Sequence, residues 1–193
     1  MIDLEFQTDG VVDVLQRLGA ASKDATPAMQ AIAAIMGNAV EENFAMEGRP
    51  RWLGLKPETL QQRVRDKLKS ERGKFKNGAW SIKIGQRAAG SVKILQRSGR
   101  LAASISQAAS TDTAEVGTNV VYAAIQNFGG ETKPHVIEAK NAKALAFNGR
   151  FAKRVNHPGS KIPARPFLML TDTEEVLIET AVVDYLRRIT GGY

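Results

Sequence analysis

Pro163 and Pro166 bracket Ala164 and Arg165 in the stretch KIPARPFLML, residues 161–170. Each proline fixes its own φ and drives the residue before it out of the helical region, so the backbone here is held extended. A basic loop precedes the segment and the last amphipathic stretch of the chain follows it. A short apolar segment stiffened around one arginine serves either an active site or a contact in an assembly. The rest of the sequence has to decide which.

Periodicity after the segment predicts a helix from about Thr171, capped by Thr171 or Asp172. Glu174 and Glu175 fall in its electropositive first turn and Arg187 and Arg188 in its last, with Ile178, Val182, Leu186 and Ile189 as the expected buried face. Before the segment, Asn148-Gly149 joins AKALAFN to RFAKRVN, a strong hairpin signal. ILQRSGRLAASISQAAST breaks at Ser98-Gly99, makes a helical turn around Leu101 and continues as a strand. Asp112 then supplies the turn into a partner strand in DTAEVGTN. VVYAAIQNFGG sets Tyr122, Ile125 and Gln126 at helical spacing and stops at Gly129-Gly130.

The first third of the chain is helical in pattern. IDLEFQTD alternates Ile2, Leu4 and Phe6 with Asp3, Glu5 and Gln7, the period of a half-buried strand, which Gly10 ends. VVDVLQRLGAAS follows at helical spacing, with Val11, Val14, Leu15 and Leu18 on one side. A second helix runs from about Pro27 to Met46 with a stripe of Ile32, Ile35, Met36, Ala39 and Val40, and a third opens at Pro57 with Leu60, Val64 and Leu68 on one face. Trp52, in the loop between them, reads as a lid on the core in preference to a stacking platform. Residues 69–93 are rich in Lys, Arg, Gly and Ser and read as a long exposed basic loop or arm, the first candidate for an assembly contact. The sum is an α+β fold, one domain over residues 1–193. It has a small antiparallel sheet packed by N-terminal helices and by a C-terminal helix lying across it.

Charge is unevenly spread. Residues 49–100 hold 15 Lys and Arg against Glu58, Asp66 and Glu71, while residues 1–48 hold eight acids against Arg17 and Lys23. Such a basic block is a solvated surface or a contact with phosphate or with an acidic protein. Zero cysteines exclude disulfides and thiolate metal sites, and His135 and His157 alone leave little for a metal or a catalytic base. Both histidines read as structural. No run approaches the roughly 18 apolar residues of a membrane span, and the first residues are acidic where a signal peptide is basic. The expected place of the protein is therefore the compartment in which it is made, with no membrane partner.

Chemical templates fail one by one. No glycine cluster is followed by Lys-Ser or Lys-Thr at phosphate-loop spacing, and GQRAAG lacks the glycines of a dinucleotide fingerprint. RSGRL and HPGSK are not nucleophile elbows, and Glu41 and Glu42 are adjacent and so point to different sides of a helix. No cofactor is expected. Lys and Arg interleaved with Phe75 and Trp80 leave a nucleic-acid-binding reading open.

Four stretches together resemble one family: GRPRWLGLKPETL (48–60), ILQRSGRLAASI (94–105), EVGTNVVYAAIQNFGG (115–130) and NAKALAFNGRFAKRVNHPGSKIPARPFLML (141–170). They are similar, in order and separation, to the virion-morphogenesis or tail-completion proteins of Mu-like and P2-like phages. The family often has His-Gln ahead of Phe-Gly-Gly, where this chain has Gln126-Asn127. The resemblance implies a non-enzymatic virion protein, made in the host cytoplasm, that completes the tail and joins it to the head. It also implies a ring of identical subunits, six by analogy with tail tubes, whose partners are tail tube and sheath proteins and head-tail connector proteins. Alternatives are a connector or stopper ring under the portal, with nonspecific contact to packaged DNA, and a nucleic-acid-binding protein using residues 49–100.

On that reading the expected interface residues in the basic block are Trp52, Lys74, Lys76, Trp80, Lys83, Arg87, Arg97 and Arg100. Tyr122, Phe128, Arg165 and Phe167 complete the set. Arg165 becomes a clasp that bonds neighbouring carbonyls or an acidic group across a subunit boundary, while Ile162, Phe167 and Leu168 are buried beside the last helix.

Overall fold

The computed structural model describes residues 9–21, 23–71, 88–139, 144–147 and 150–191. Its helices are α1 (Asp9–Ala21), α2 (Thr26–Met46), α3 (Pro57–Glu71), α4 (Arg100–Ala103), α5 (Ala123–Phe128) and α6 (Asp172–Thr190). Its strands are β1 (Ile105–Ala109), β2 (Ala114–Thr118), β3 (Gly130–Glu131), β4 (His135–Glu138), β5 (Leu145–Phe147), β6 (Arg150–Ala152), β7 (Arg154–His157) and β8 (Lys161–Ile162). The fold is α+β.

Local chemistry accounts for the helix boundaries. Pro27 stands in the first turn of α2, where its missing N–H has no helical partner to lose, and Pro57 opens α3 in the same way. α2 ends at Glu47, which takes the left-handed conformation, and Gly48 follows at φ +99°. A side chain at Gly48 would strike the Trp52 ring and lie 2.6 Å from the Pro50 carbonyl oxygen, so only glycine lets the chain double back there. The reversal delivers Trp52 into the core. α6 starts with a capping box, in which the Thr171 N–H and hydroxyl both bond the Glu174 carboxylate.

The core joins Val40 and Phe44 of α2 to Trp52, Ile94, Leu101, Val120, Ala123 and Phe167. Phe44 meets the Trp52 ring edge-on at a centroid distance of 5.9 Å and lies tilted by 31° against the Phe167 ring at 5.2 Å. The β1–β2 hairpin packs on α2, in register from Ile105 opposite Thr118 to Ala109 opposite Ala114. Asp112 accepts from the Ser110 and Thr113 hydroxyls in its turn.

α2 and α6 run antiparallel. Asn43, near the end of α2, reaches the Phe167 and Met169 carbonyls ahead of α6, whereas the Asp24 carbonyl, just before α2, accepts from the Tyr185 hydroxyl near the end of α6. Following α1 backwards from there leads further toward the C-terminal end of α6, because the Arg17 guanidinium approaches to 3.7 Å of the Cβ position at Gly191. α1 therefore lies toward the C-terminal end of α6, opposite the segment that precedes that helix.

The remaining strands pair as a ribbon of three successive two-stranded antiparallel pieces: Gly130 opposite Ile162, His135 opposite His157, Glu138 opposite Arg154, and Phe147 opposite Arg150. Asn148 and Gly149, the expected hairpin turn, lie outside the described residues. RFAKRVN is two strands, β6 and β7, and the second pairs with β4 rather than with β5. β4 is exposed along its whole length, so this ribbon stands off the core.

Further sequence expectations need correction. The antiparallel pairing is divided into four two-stranded pieces, and α6 lies against α2 and α1. Gly10 is inside α1; the strand expected before it falls outside the described residues. α3 continues to Glu71 and Ala88 is buried; residues 72–87 of the expected arm lie outside the described residues. Leu15, Leu168 and Leu186 are exposed. Leu186 turns out because α6 uses Ile178, Val182 and Ile189 as its half-buried face.

Candidate assembly site

Residues 165–169, at and after the proline pair, lie in no strand, and apart from one backbone bond side chains satisfy their backbone groups. The Arg165 N–H bonds the Gln126 carbonyl at 2.9 Å, and the Trp52 indole N–H bonds the Pro166 carbonyl at 3.1 Å. Asn127 Oδ1 accepts from the N–H groups of Phe167 (2.9 Å) and Leu168 (3.0 Å). Asn43 Nδ2 donates to the carbonyls of Phe167 (3.0 Å) and Met169 (2.8 Å). Buried polar groups must be paired, and two buried asparagines grip this segment from either side. Gly129, at φ +74°, completes the fit, since a Cβ there would stand 2.7 Å from the Ala164 nitrogen.

Behind Asn43 lies Arg49. Its Nε donates to Asn43 Oδ1 at 3.0 Å, Nη2 to the Ala39 carbonyl at 3.0 Å, and Nη1 to Glu42 (2.6 Å) and Glu174 (2.7 Å). Burial raises the Glu174 pKa, but hydrogen bonds from Thr171 and the charge and hydrogen bond of Arg49 outweigh it and hold the carboxyl at about 2.

In front of the segment is a groove of about 690 Å³. One wall is Leu53 to Lys56 with the first turns of α3, another is the loop from Leu95 to Leu101, and the third is Ser160 to Arg165. Its surface mixes apolar side chains, Leu53, Leu55, Leu101 and Ile162 among them, with the cations Lys56, Arg63, Arg97, Lys161 and Arg165. Arg165 donates to the Leu53 carbonyl at 3.2 Å and Arg63 to the Lys93 carbonyl at 3.1 Å. Among the described residues only Arg97 of these cations has a carboxylate partner, Asp66 at 2.9 Å. Burial, and then the nearby Arg97 charge, hold the Arg63 guanidinium below its ordinary pKa; burial and then Arg63 do the same to Arg165. Such a surface is complementary in charge and polarity to acidic groups flanked by apolar ones.

The expected interface residues divide. Arg97, Tyr122 and Arg165 meet in the groove. Trp52 and Phe167 are buried behind it and serve the core instead of an exposed contact. Phe128 is 76% exposed and Arg100 is exposed, and neither lines the groove. Lys74, Lys76, Trp80, Lys83 and Arg87 lie outside the described residues. Asn43, Arg49, Arg63, Asn127 and Glu174 were missed. Asn43 carried a visible signal, a polar residue one turn beyond Ala39 and Val40 on an apolar stripe. Among the described residues no group of three or more His, Asp or Glu is placed to hold a metal, and no described helix is long and apolar enough to cross a membrane.

Residues 75–187 match the model of the phage virion morphogenesis family. The chain is 30% identical over 188 residues to the Mu-like prophage FluMu G protein 2 of Haemophilus influenzae, an alignment covering 97% of each protein. No solved structure matches it. The matched span contains the groove's loop at 95–101, the ribbon and the proline-bracketed segment, and with a relative similar along nearly the whole chain it is decisive: the chain belongs to the phage virion morphogenesis family.

Proposed function

We propose that this protein is a non-enzymatic virion component that completes the tail and forms part of the neck joining it to the head, acting as a closed ring of identical subunits. The family membership carries the phage role. The surface supports a role in assembly, because the groove offers cations that the described residues leave without carboxylates and the ribbon holds Val136, Ile137 and Phe151 out to solvent. Contacts of one face of a subunit with a different face of the next close into rings when the rotation closes. Tail tube, sheath and connector proteins are the partners of such a ring.

The test is complementation. Phage lacking this protein should accumulate filled heads and unjoined tails, and adding the purified protein should restore joined particles. Normal particles in its absence would refute the proposal.

A further inference from the structure

The groove's cations and apolar walls call for a segment in which acidic and apolar side chains alternate, and the chain contains one. Ile2, Leu4 and Phe6 alternate with Asp3 and Glu5 ahead of α1. We propose that residues 2–6 of a neighbouring copy occupy the groove, with Asp3 and Glu5 against its cations and the apolar side chains on its Leu53 and Ile162 walls. Residues 1–8 lie outside the described structure.

Geometry makes this an exchange between copies. α6 has 19 residues and is about 28 Å long. The groove lies at its N-terminal end, where Arg165 precedes it, while α1 leads back beyond its C-terminal end. Eight extended residues span at most about 28 Å. A segment starting from Asp9 is exhausted before it has passed back along α6 into its own groove. The neighbour's segment has no such limit. Because donor segment and accepting groove are different surfaces, every copy gives and receives, as a closed ring requires.

Charge complementarity points the same way. Lys56, Arg63, Lys161 and Arg165 have no carboxylate partner among the described residues, and the acidic excess of the chain lies in residues 1–48. The apolar walls favour a peptide over a nucleic-acid backbone, which presents phosphates without alternating apolar side chains. The inference rests on the ring reading above and names what one subunit offers the next.

The chain has no cysteine, so single cysteines report one contact at a time. Full-length Phe6→Cys and Leu53→Cys chains are mixed, with and without purified tails, and oxidised with diamide. Leu53 is 68% exposed, so its replacement is tolerated. The expected product is a dimer containing one chain of each kind, at least about fivefold above the pair Phe6→Cys and Leu177→Cys, whose second site is on exposed α6. A chain carrying both substitutions should give a ladder of linked chains. Reversing Asp3 and Glu5 to Lys should abolish the product, reversing Lys56 and Lys161 to Glu should do the same, and combining the two reversals should restore it.

An internally bridged monomer, a yield equal to the control, or no effect of the reversals overturns the inference. So does protection of the Leu53→Cys thiol from a maleimide by a short DNA duplex but not by the peptide MIDLEFQTD. Light scattering on the same samples separates the two levels. Oligomers without the specific cross-link overturn the groove assignment and leave the ring standing; monomers with and without tails overturn both.

Discussion

Arg49 and Glu174, 125 residues apart in the chain, meet at 2.7 Å and tie the end of α2 to the first turn of α6. The carboxylate is buried and the guanidinium mostly so. Removing one partner leaves the other charged and under-paired, which is more costly than never having built the pair. Arg49→Ala should therefore lower unfolding free energy by about 3 kcal/mol. Arg49 also holds Asn43, so the loss should extend to the segment at 165–169. Denaturant titration checks the magnitude, and a change below about 1 kcal/mol would show the link to be a surface pair.

The same carboxylate gives a pH dependence with a definite sign. Glu174 is held at about 2 in the folded protein, below its unfolded value of 4.5. Its contribution is present above the unfolded value and is lost as pH falls from there through the folded one. Thermal midpoints of the parent should drop across that window, and Glu174→Gln, lower at neutral pH, should flatten the dependence. Parallel curves would contradict it.

Asn127 supplies one oxygen to two N–H groups of the extended segment. Asn127→Ala strands both and should cost about 3 kcal/mol, whereas Asn127→Asp keeps an acceptor and should cost less than Ala. Hydrogen exchange at Phe167 and Leu168 should rise in the alanine variant. Unchanged protection there would mean that another group holds the segment.

Gly129→Ala should cost more than about 1 kcal/mol. The position combines φ +74° with a Cβ location 2.7 Å from the Ala164 nitrogen. Gly99→Ala makes a useful comparison: its φ is also positive, at +72°, but nothing lies near its Cβ position. A larger loss at Gly129 isolates the close approach from the backbone strain.

Much of this architecture rests on local signals and was readable for that reason. Pro27, Pro57 and the Thr171–Glu174 box mark helix starts without any tertiary information, and Pro163 and Pro166 dictate an extended segment wherever it lies. The break between β6 and β7 was not readable, because RFAKRVN carries no glycine, proline or turn residue at Lys153 to mark where its pairing changes from β5 to β4. Leu168 and Leu186 had the right chemistry for burial; which way each faces depends on how the segment and α6 meet the rest of the molecule. The Asn43–Arg49–Glu174 chain joins pieces far apart in sequence, and no spacing rule links them. Arg165 bonds the Leu53 carbonyl, and its place on a groove with Arg63 and Arg97 emerges only when three loops converge, which no local pattern marks.

The most direct measurement of the assembly account is the mass of the purified protein by light scattering, alone, with purified tails and with short DNA. The account predicts a discrete ring, or a smaller species that associates only with tail ends. A monomer that ignores tails yet binds DNA with a steep dependence on salt would contradict it and assign the basic surface to nucleic acid.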